Sequence, residues 1–434
     1  MQTTLENLNG LERRLNVSLP LSEIDSEVQA RLRRIARTAK ISGFRPGKVP
    51  LKIVEQQFGP QVRQEVLGDV VRKSFGEAIR EQNLKVAGLP NITPRPAGDG
   101  AAAFQYTATF EVYPDVQVQD VSGIQLKRPI HEVVEADVDR TLGILRRQRM
   151  TFEPVERPAA PEDLVTIDYR GTIDGAEFAG GSAMDFGVIL GQGRLLPEFE
   201  ANVIGLAAGD SDAFEVRFPD DYAGKEVAGK TARFEVTVKR VAAPKMPELD
   251  AEFAQQMGIE DGDLDRLRSE VRSNVEREVK NRIQKRIKGQ VMQALLDANE
   301  IPVPKALVDL ETQRLAQATM QDLAARGIDV QKLPVPKEGF EEQAKRRVSL
   351  GLILSELVRA HGLQARPEQV KAAVEEHAQS FEHPREVVKW YYEQATRLNG
   401  FESVVLEDNV VEWVLKTAQV EDQLVEFDEL MGNA

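Results

Sequence analysis

The chain has 434 residues, more than one ordinary domain holds, and two to four domains are expected. With 41% hydrophobic, 29% charged and only 6% aromatic residues, it has globular values and predicts aliphatic cores. A formal net charge of -14 argues against general nucleic-acid binding, and the absence of Cys excludes disulfides and thiolate chemistry.

Further classes drop out on spacing. His131, His361, His377 and His383 form no close pair with ligand spacing, so no metal site is expected. No phosphate-binding loop and no dinucleotide fingerprint occur, so ATP-driven action has no support and no cofactor is expected. No stretch approaches the roughly 18 apolar residues that span a bilayer. Met1 to Glu6 lack a basic start followed by an apolar run, and a soluble cytoplasmic protein without membrane contact is expected.

Residues 1–113 read as an α+β domain. Leu11, Leu15, Val17 and Leu19 alternate as in a strand. Ser22 with Asp25 predicts a capping box, and Ile24, Val28, Leu32 and Ile35 the apolar face of the helix it opens. From Val28 to Val54 there is no Asp or Glu, while Arg31, Arg33, Arg34, Arg37, Lys40, Arg45, Lys48 and Lys52 all fall there. Such a one-sign block in an acidic chain suggests an anionic partner. Inside it, Gly43-Phe44-Arg45-Pro46-Gly47-Lys48-Val49-Pro50 predicts a stiff, turning loop with Phe44 and Arg45 near its tip. The residue types alone fit two readings: an anchor for a partner, or a Phe44 tucked into a local core beside arginines that face water. A second helical region spans about 51–82 and is expected to break near Gly59-Pro60; Phe104 to Val112 alternate again. The loop therefore links two helices and can project from the domain.

The order Gly-Phe-Arg-x-Gly-x-x-Pro resembles the ribosome-docking signature of the bacterial trigger factor family. Every fixed position is present, and Pro46 fills the first variable one. The resemblance implies that Gly43, Phe44, Arg45, Pro46, Gly47, Lys48 and Pro50 bind the ribosome, on its large subunit near the tunnel exit.

Residues 114–150 read as a connector, extended from Asp115 to Pro129 and helical from Glu135 to Met150, with Val138, Leu142 and Leu145 on one face. Pro154, Pro158 and Pro161 mark a boundary. Residues 151–245 predict short antiparallel strands. Val165, Ile167 and Tyr169 alternate, Asp174-Gly175 turns, and Phe214 to Phe218 and Phe234 to Val238 alternate, with one short helix after Pro197. Nine of the chain's 25 aromatic residues lie in this segment, a surplus that suggests an aromatic pocket as well as a core.

This segment resembles an FKBP-type peptidyl-prolyl isomerase. The resemblance is carried by Val165 to Tyr169, Asp174 to Phe178, Leu190 to Gly193, Leu195 to Glu200 and Phe218 to Tyr222. By position it implies a proline pocket of Tyr169, Phe178, Phe186, Leu196, Phe199, Tyr222 and Phe234, with Phe199 as floor where the family often has Trp. The chain departs from the family at Ala179, often Asp, and at Glu198, where the family reads Pro-Gly-Phe. The chemistry needs no nucleophile: amide resonance sets a barrier of about 20 kcal/mol, and a dry apolar pocket favours the twisted, less polar amide. Tyr222 is the candidate donor to a substrate carbonyl.

Residues 246–434 read as helical. Leu267, Val271, Val275, Val279, Ile283, Ile287, Val291 and Leu295 recur every four residues, predicting one helix over about 263–298 that acts as an arm or bridge rather than a buried core helix. Ile301 to Pro304 end it, and further helices are expected at about 304–326, 337–361, 366–382, 384–398 and 402–418. Asp261, Asp263 and Asp265 lack the Gly of a calcium loop, with Arg266 in its place.

Taken in order, docking domain, connector, isomerase segment and helical remainder are similar to trigger factor over the whole chain. The fold expected is multidomain α+β, with an FKBP-like antiparallel sheet and an all-helical C-terminal part bearing arms. The resemblance implies an ATP-independent chaperone that holds nascent and unfolded polypeptides and isomerises X-Pro bonds, self-associates when free, and has links to cell division and protein export. Two other functions fit the residues: a prolyl isomerase without ribosome docking, and an RNA-binding protein using the basic block.

Overall fold

The computed structural model describes residues 1–39, 42, 44, 49–95, 103–222, 224–328 and 338–432. The chain divides into two compact units, each discontinuous in sequence. One is Met1–Arg128 with Lys285–Gln423, the other Pro129–Gln284 with Leu424–Ala434.

The first unit opens with β1 (Gln2–Asn7) and β2 (Glu12–Pro20), which pair antiparallel. With β3 (Val86–Arg95) and β4 (Ala103–Val112) they form a sheet of order β1-β2-β4-β3. The alternation read in the sequence buries Leu15, Val17, Leu19, Tyr106, Ala108 and Phe110 on one face. Two helices, α1 (Leu21–Thr38) and α2 (Leu51–Glu81), lie between β2 and β3 in the chain. Ile24, Val28 and Leu32 of α1 pack on Val54, Val62 and Val66 of α2.

Two local expectations are corrected here. The helix starts at Leu21 with Pro20 at its cap, so Ser22 lies inside the first turn and makes no cap; Asp25 pairs with Arg63 of α2 at 3.2 Å instead. And α2 runs unbroken through Gly59-Pro60. Pro60 forfeits one backbone hydrogen bond, but Val54, Val62 and Val66 on either side of it are all within 2% of full burial, and this packing holds the helix.

The rest of the first unit is helical: the end of α6 (Leu264–Ala298), then α7 (Lys305–Ala325), α8 (Glu338–His361), α9 (Pro367–Ala378), α10 (Pro384–Tyr392) and α11 (Asn399–Thr417). Residues 379–383 are outside α9, and after α10 the chain takes a 3-10 turn at Ala395–Arg397, so two expected helices are shorter. Ile287, Val291 and Leu295 of α6 meet Ile353, Leu357, Val410 and Val414 in one core. The segment 115–129 is not a single extended run: a 3-10 turn at Val121–Gly123 precedes β5 (Gln125–Ile130), and Val121 and Leu126 bury in this same core. β5 pairs with β11 (Gln419–Leu424).

Strand β3 touches the start of α7. Glu111 accepts the Ala306 N–H at 2.6 Å, and Gly88, at φ +77°, has the Ala306 Cβ 2.6 Å from where its own Cβ would stand. Gly88→Ala is therefore expected to lose about 1–3 kcal/mol from left-handed strain, with the steric clash on top. Urea unfolding of the full chain measures it, and a variant as stable as wild type would contradict this packing.

The second unit contains α3 (Glu135–Gln148) and a five-stranded antiparallel sheet of β6 (Thr151–Pro154), β7 (Leu164–Ile173), β8 (Ala176–Ile189), β9 (Ser211–Arg217) and β10 (Thr231–Lys245). The order is β6-β10-β7-β8, and β9 pairs with the first half of β10. Asp174 and Gly175, at φ +51° and +83°, make the two-residue turn between β7 and β8. Helix α4 (Pro197–Val203) begins on Pro197 and lies between β8 and β9 in the chain. Asp163 is fully buried and gripped by both Nη atoms of Arg157 at 2.6 and 2.8 Å. Burial opposes its charge, but Arg157 and the Ala160 N–H outweigh burial and hold its pKa below the ordinary value.

The first part of α6 buries Leu267, Val271, Val275 and Val279 against Val138 and Leu142 of α3, Phe253 of α5 (Ala251–Gln256) and Phe427 and Leu430 of α12 (Phe427–Met431). The stripe of α6 is thus core along its length, half in each unit: the helix bridges the two units, as one of the expected readings has it, but its apolar stripe is buried. Asp263 accepts the N–H groups of Asp265 and Arg266 and so starts this helix, while Asp261 pairs with Arg266 at 2.6 Å.

The C-terminal tail returns to this unit. The Val425 N–H donates to the Ile130 carbonyl at 3.1 Å, Arg140 pairs with Asp428 at 2.7 Å, and Arg282 donates to the Met431 carbonyl at 2.9 Å. His131 stands between tail and helix: its Nδ1 is 2.9 Å from the Val425 carbonyl oxygen, its Nε2 2.9 Å from Asp137 Oδ2, and its ring lies 5.7 Å from that of Phe427.

Candidate functional site

A cavity of about 710 Å³ opens beside the five-stranded sheet. Six of the seven pocket residues expected from the sequence line it: Tyr169 from β7, Phe178 from β8, Leu196 and Phe199 at the start of α4, Tyr222 from the loop after β9, and Phe234 from β10. Phe186 does not line it. That ring stands edge-on to Tyr169 at 5.7 Å, behind the wall. Phe218, Leu195 and Val227 line the cavity too. Phe218 carried the resemblance without being placed in the pocket; its alternation with Phe214 and Val216 was the available signal.

The rings form a mutually braced set. Phe199, only 4% exposed, sits 5.1 Å from Phe234, 5.2 Å from Phe214 and 6.0 Å from Tyr169, each near perpendicular. Phe178 is edge-on to Phe218 at 5.9 Å and to Phe234 at 6.2 Å. Edge-to-face contacts fix ring orientation beyond what area burial does. Tyr222, 41% exposed, stands at the mouth and packs on Phe218 at 4.9 Å. Arg194, Lys225 and Glu226 form a charged part of the rim.

Two glycines make room for these rings. A Cβ on Gly171 of β7 would lie 2.6 Å from Phe234 Cε1, and one on Gly181 of β8 would lie 2.9 Å from Phe178 Cζ. Both rings therefore pass close over bare backbone. Periodicity gives no hint of this, because a strand glycine reads as a weak point rather than as a seat.

The cavity is apolar below and polar at its mouth. Burial, and then the proximity of Tyr222, raise the Tyr169 pKa, so its phenol stays protonated and neutral at ordinary pH. The floor offers no charge and no nucleophile among its described side chains. Such a surface can seat a small apolar ring and keep water from an adjoining amide.

The second expected site is placed only in part. Gly43, Arg45, Pro46, Gly47 and Lys48 lie outside the described residues. Phe44 is 40% exposed, and Pro50 is the residue on which α2 starts. The segment connects α1 to α2, as read. In the basic window, Arg31 is used within the fold, pairing with Asp69 at 3.1 Å and Glu65 at 3.8 Å. Arg33, Arg34, Arg37 and Lys52 are exposed.

Comparison with known proteins supplies what geometry alone does not. Residues 1–145 match the family model described as bacterial trigger factor protein, and 263–416 that of the trigger factor C-terminus. Residues 155–239 match FKBP-type peptidyl-prolyl cis-trans isomerase. Curated trigger factors from Nitrosospira multiformis, Laribacter hongkongensis and Chromobacterium violaceum are 54%, 55% and 53% identical to the chain, each alignment covering 100% of both. The chain belongs to the trigger factor family. It is a chaperone with a ribosome-docking N-terminal part, and its β6–β10 sheet is an FKBP-type prolyl isomerase. No described helix is long and apolar enough to cross a membrane.

Proposed function

We propose that the aromatic cavity seats the prolyl ring of an X-Pro bond, with Phe199 and Phe234 beneath it, Tyr169, Phe178 and Leu196 around it, and Tyr222 at the mouth. The observation that supports this is the convergence of six separately encoded side chains on one apolar hollow. The amide enters a site that withholds water. Its charge-separated planar form loses solvation there, and the twisted form gains relative to it. Tyr222, exposed and hydroxyl-bearing, is the donor for a substrate carbonyl. Phe186 acts from behind, by holding the Tyr169 ring.

The same proposal assigns docking to Gly43, Phe44, Arg45, Pro46, Gly47, Lys48 and Pro50, on the large ribosomal subunit near the tunnel exit. The support is an exposed Phe44 on an α1–α2 connection flanked by exposed Arg33, Arg34 and Arg37, a cationic surface suited to an RNA-rich partner. The working place is the cytoplasm, and the free protein self-associates. Co-sedimentation with purified ribosomes tests the loop. Wild type is expected to pellet and Phe44→Ala/Arg45→Ala to stay in solution, with both folded by circular dichroism. Equal pelleting of the two would move docking elsewhere in the chain.

A further inference from the structure

Directly after the pocket floor stands a carboxylate that the isomerase chemistry does not use. Glu200, on α4, is 9% exposed. Its Oε2 accepts the Gly191 N–H at 3.0 Å, and among the described residues no group donates to its buried Oε1. A buried carboxylate with a single protein donor is a poor source of stability, and an apolar side chain of like volume serves packing as well or better.

Its partner shows what it can do. Gly191 is the second residue of the segment between β8 and α4, with φ of +85° there and +67° at Gly193. Gly193, Arg194, Leu195 and Leu196 of that segment all line the prolyl cavity. The start of the segment is fixed by the Leu190 N–H on the Asp163 carbonyl at 3.0 Å, and its end by the Glu200 N–H on the Leu196 carbonyl at 3.0 Å. The Gly191–Glu200 bond ties the first turn of the segment to the helix carrying Phe199. Wall and floor are thereby set against each other through one side chain.

We propose that Glu200 is a positioning residue for prolyl isomerisation: its carboxylate fixes the 191–196 segment at the distance from Phe199 that the prolyl ring requires. It touches no substrate. The inference rests on the reading of the aromatic cavity as the prolyl site, and the test separates the two.

The full-length protein is assayed on an X-Pro peptide, with kcat and KM measured separately, as wild type, Glu200→Gln, Glu200→Met and Phe199→Leu. Glu200→Met fills the same space without an acceptor. It is expected to unfold at or above the wild-type temperature, yet to lose about tenfold in kcat/KM, mostly through KM, as one charge-assisted hydrogen bond implies. Glu200→Gln keeps an oxygen for the Gly191 N–H and is expected to restore activity to within about threefold. A purely structural role would instead lower the unfolding temperature and leave the activity of the folded fraction unchanged. Wild-type kcat/KM in Glu200→Met, or equal losses in Met and Gln, overturns the proposal. If Phe199→Leu loses activity while Glu200→Met does not, the cavity stands and only Glu200 is misassigned. If Phe199→Leu is fully active, the cavity itself is wrong and the positioning role goes with it.

Discussion

Phe199→Ala is expected to cost about 3–5 kcal/mol in the stability of the isomerase unit and to abolish its prolyl isomerase activity. The ring is 4% exposed and has three aromatic neighbours within 6.0 Å, so truncation leaves a hole that Tyr169, Phe214 and Phe234 can fill only by leaving their present orientations. Denaturant unfolding gives the first number and an X-Pro peptide assay the second. Since one truncation hits both readouts, Phe199→Leu is the sharper variant. It keeps much of the volume but gives up the edge-to-face contacts, each worth about 0.5–1.5 kcal/mol. About tenfold lower kcat/KM in a folded protein is the expected result. Gly171→Ala offers an independent route to the same end, because its Cβ would stand 2.6 Å from Phe234 Cε1 and push that ring into the cavity. If Phe199→Leu retained the wild-type rate, proline would have to be seated elsewhere.

The tail of the same unit is expected to loosen as pH rises through neutrality. The Val425 carbonyl and the Asp137 carboxylate, on either side of His131, are both acceptors. The same Asp137 oxygen also takes the Val134 N–H at 3.1 Å. The ring satisfies both sides only as imidazolium, with a proton on each nitrogen. Burial works against that charge, yet Asp137, the Val425 carbonyl and Glu426 together overcome it and raise the His131 pKa. Of the other charges in this corner, Arg268 and Arg272 of α6 are engaged by Glu135 and Asp139 of α3. A raised folded-state pKa gives stability that is fully present below the unfolded value of about 6.5 and is lost as pH climbs through the folded value. Hydrogen exchange at Val425 and its neighbours, corrected for intrinsic rates, should therefore quicken from about pH 6.5 upward. In His131→Gln the exchange should be fast at both ends of that range. Protection that ignores pH in the wild type would mean the ring is neutral and one contact is not a hydrogen bond.

Much of this architecture was legible because its signals are local. Leu15, Val17 and Leu19 alternate, Asp174-Gly175 turns, Pro197 starts a helix and the four-residue stripe from Leu267 to Leu295 makes one; each depends on residues within a turn or two. What escaped was set by contacts from far along the chain. β11 reads Gln-Val-Glu-Asp-Gln-Leu, with no alternation to announce a strand, because most of it faces water and pairing with β5 defines it. Pro60 looked like a break because the cross-helix core that overrules it lies in α1. For the site, aromatic surplus and motif order gathered six lining residues, but Phe186 has the same residue type and lies behind the wall. Side-chain identity does not encode which side of Tyr169 a ring will occupy. Glu200 ends one of the stretches that carry the resemblance, but its burial was not legible, since a glutamate on a short helix is ordinarily solvated.

The returning tail bears on how the chain itself comes to be folded. Its latch joins His131 to Val425 across 294 positions, and the whole Lys285–Gln423 segment is made in between. The isomerase sheet is closed sooner, its outer ion pair from Glu153 to Lys245 spanning 92 positions. During synthesis the sheet is therefore available as a finished object while the seat for Phe427 and Leu430, walled by Val138, Leu142 and the start of α6, waits uncovered. Until the tail arrives, a growing copy of this chain carries an open apolar notch of its own.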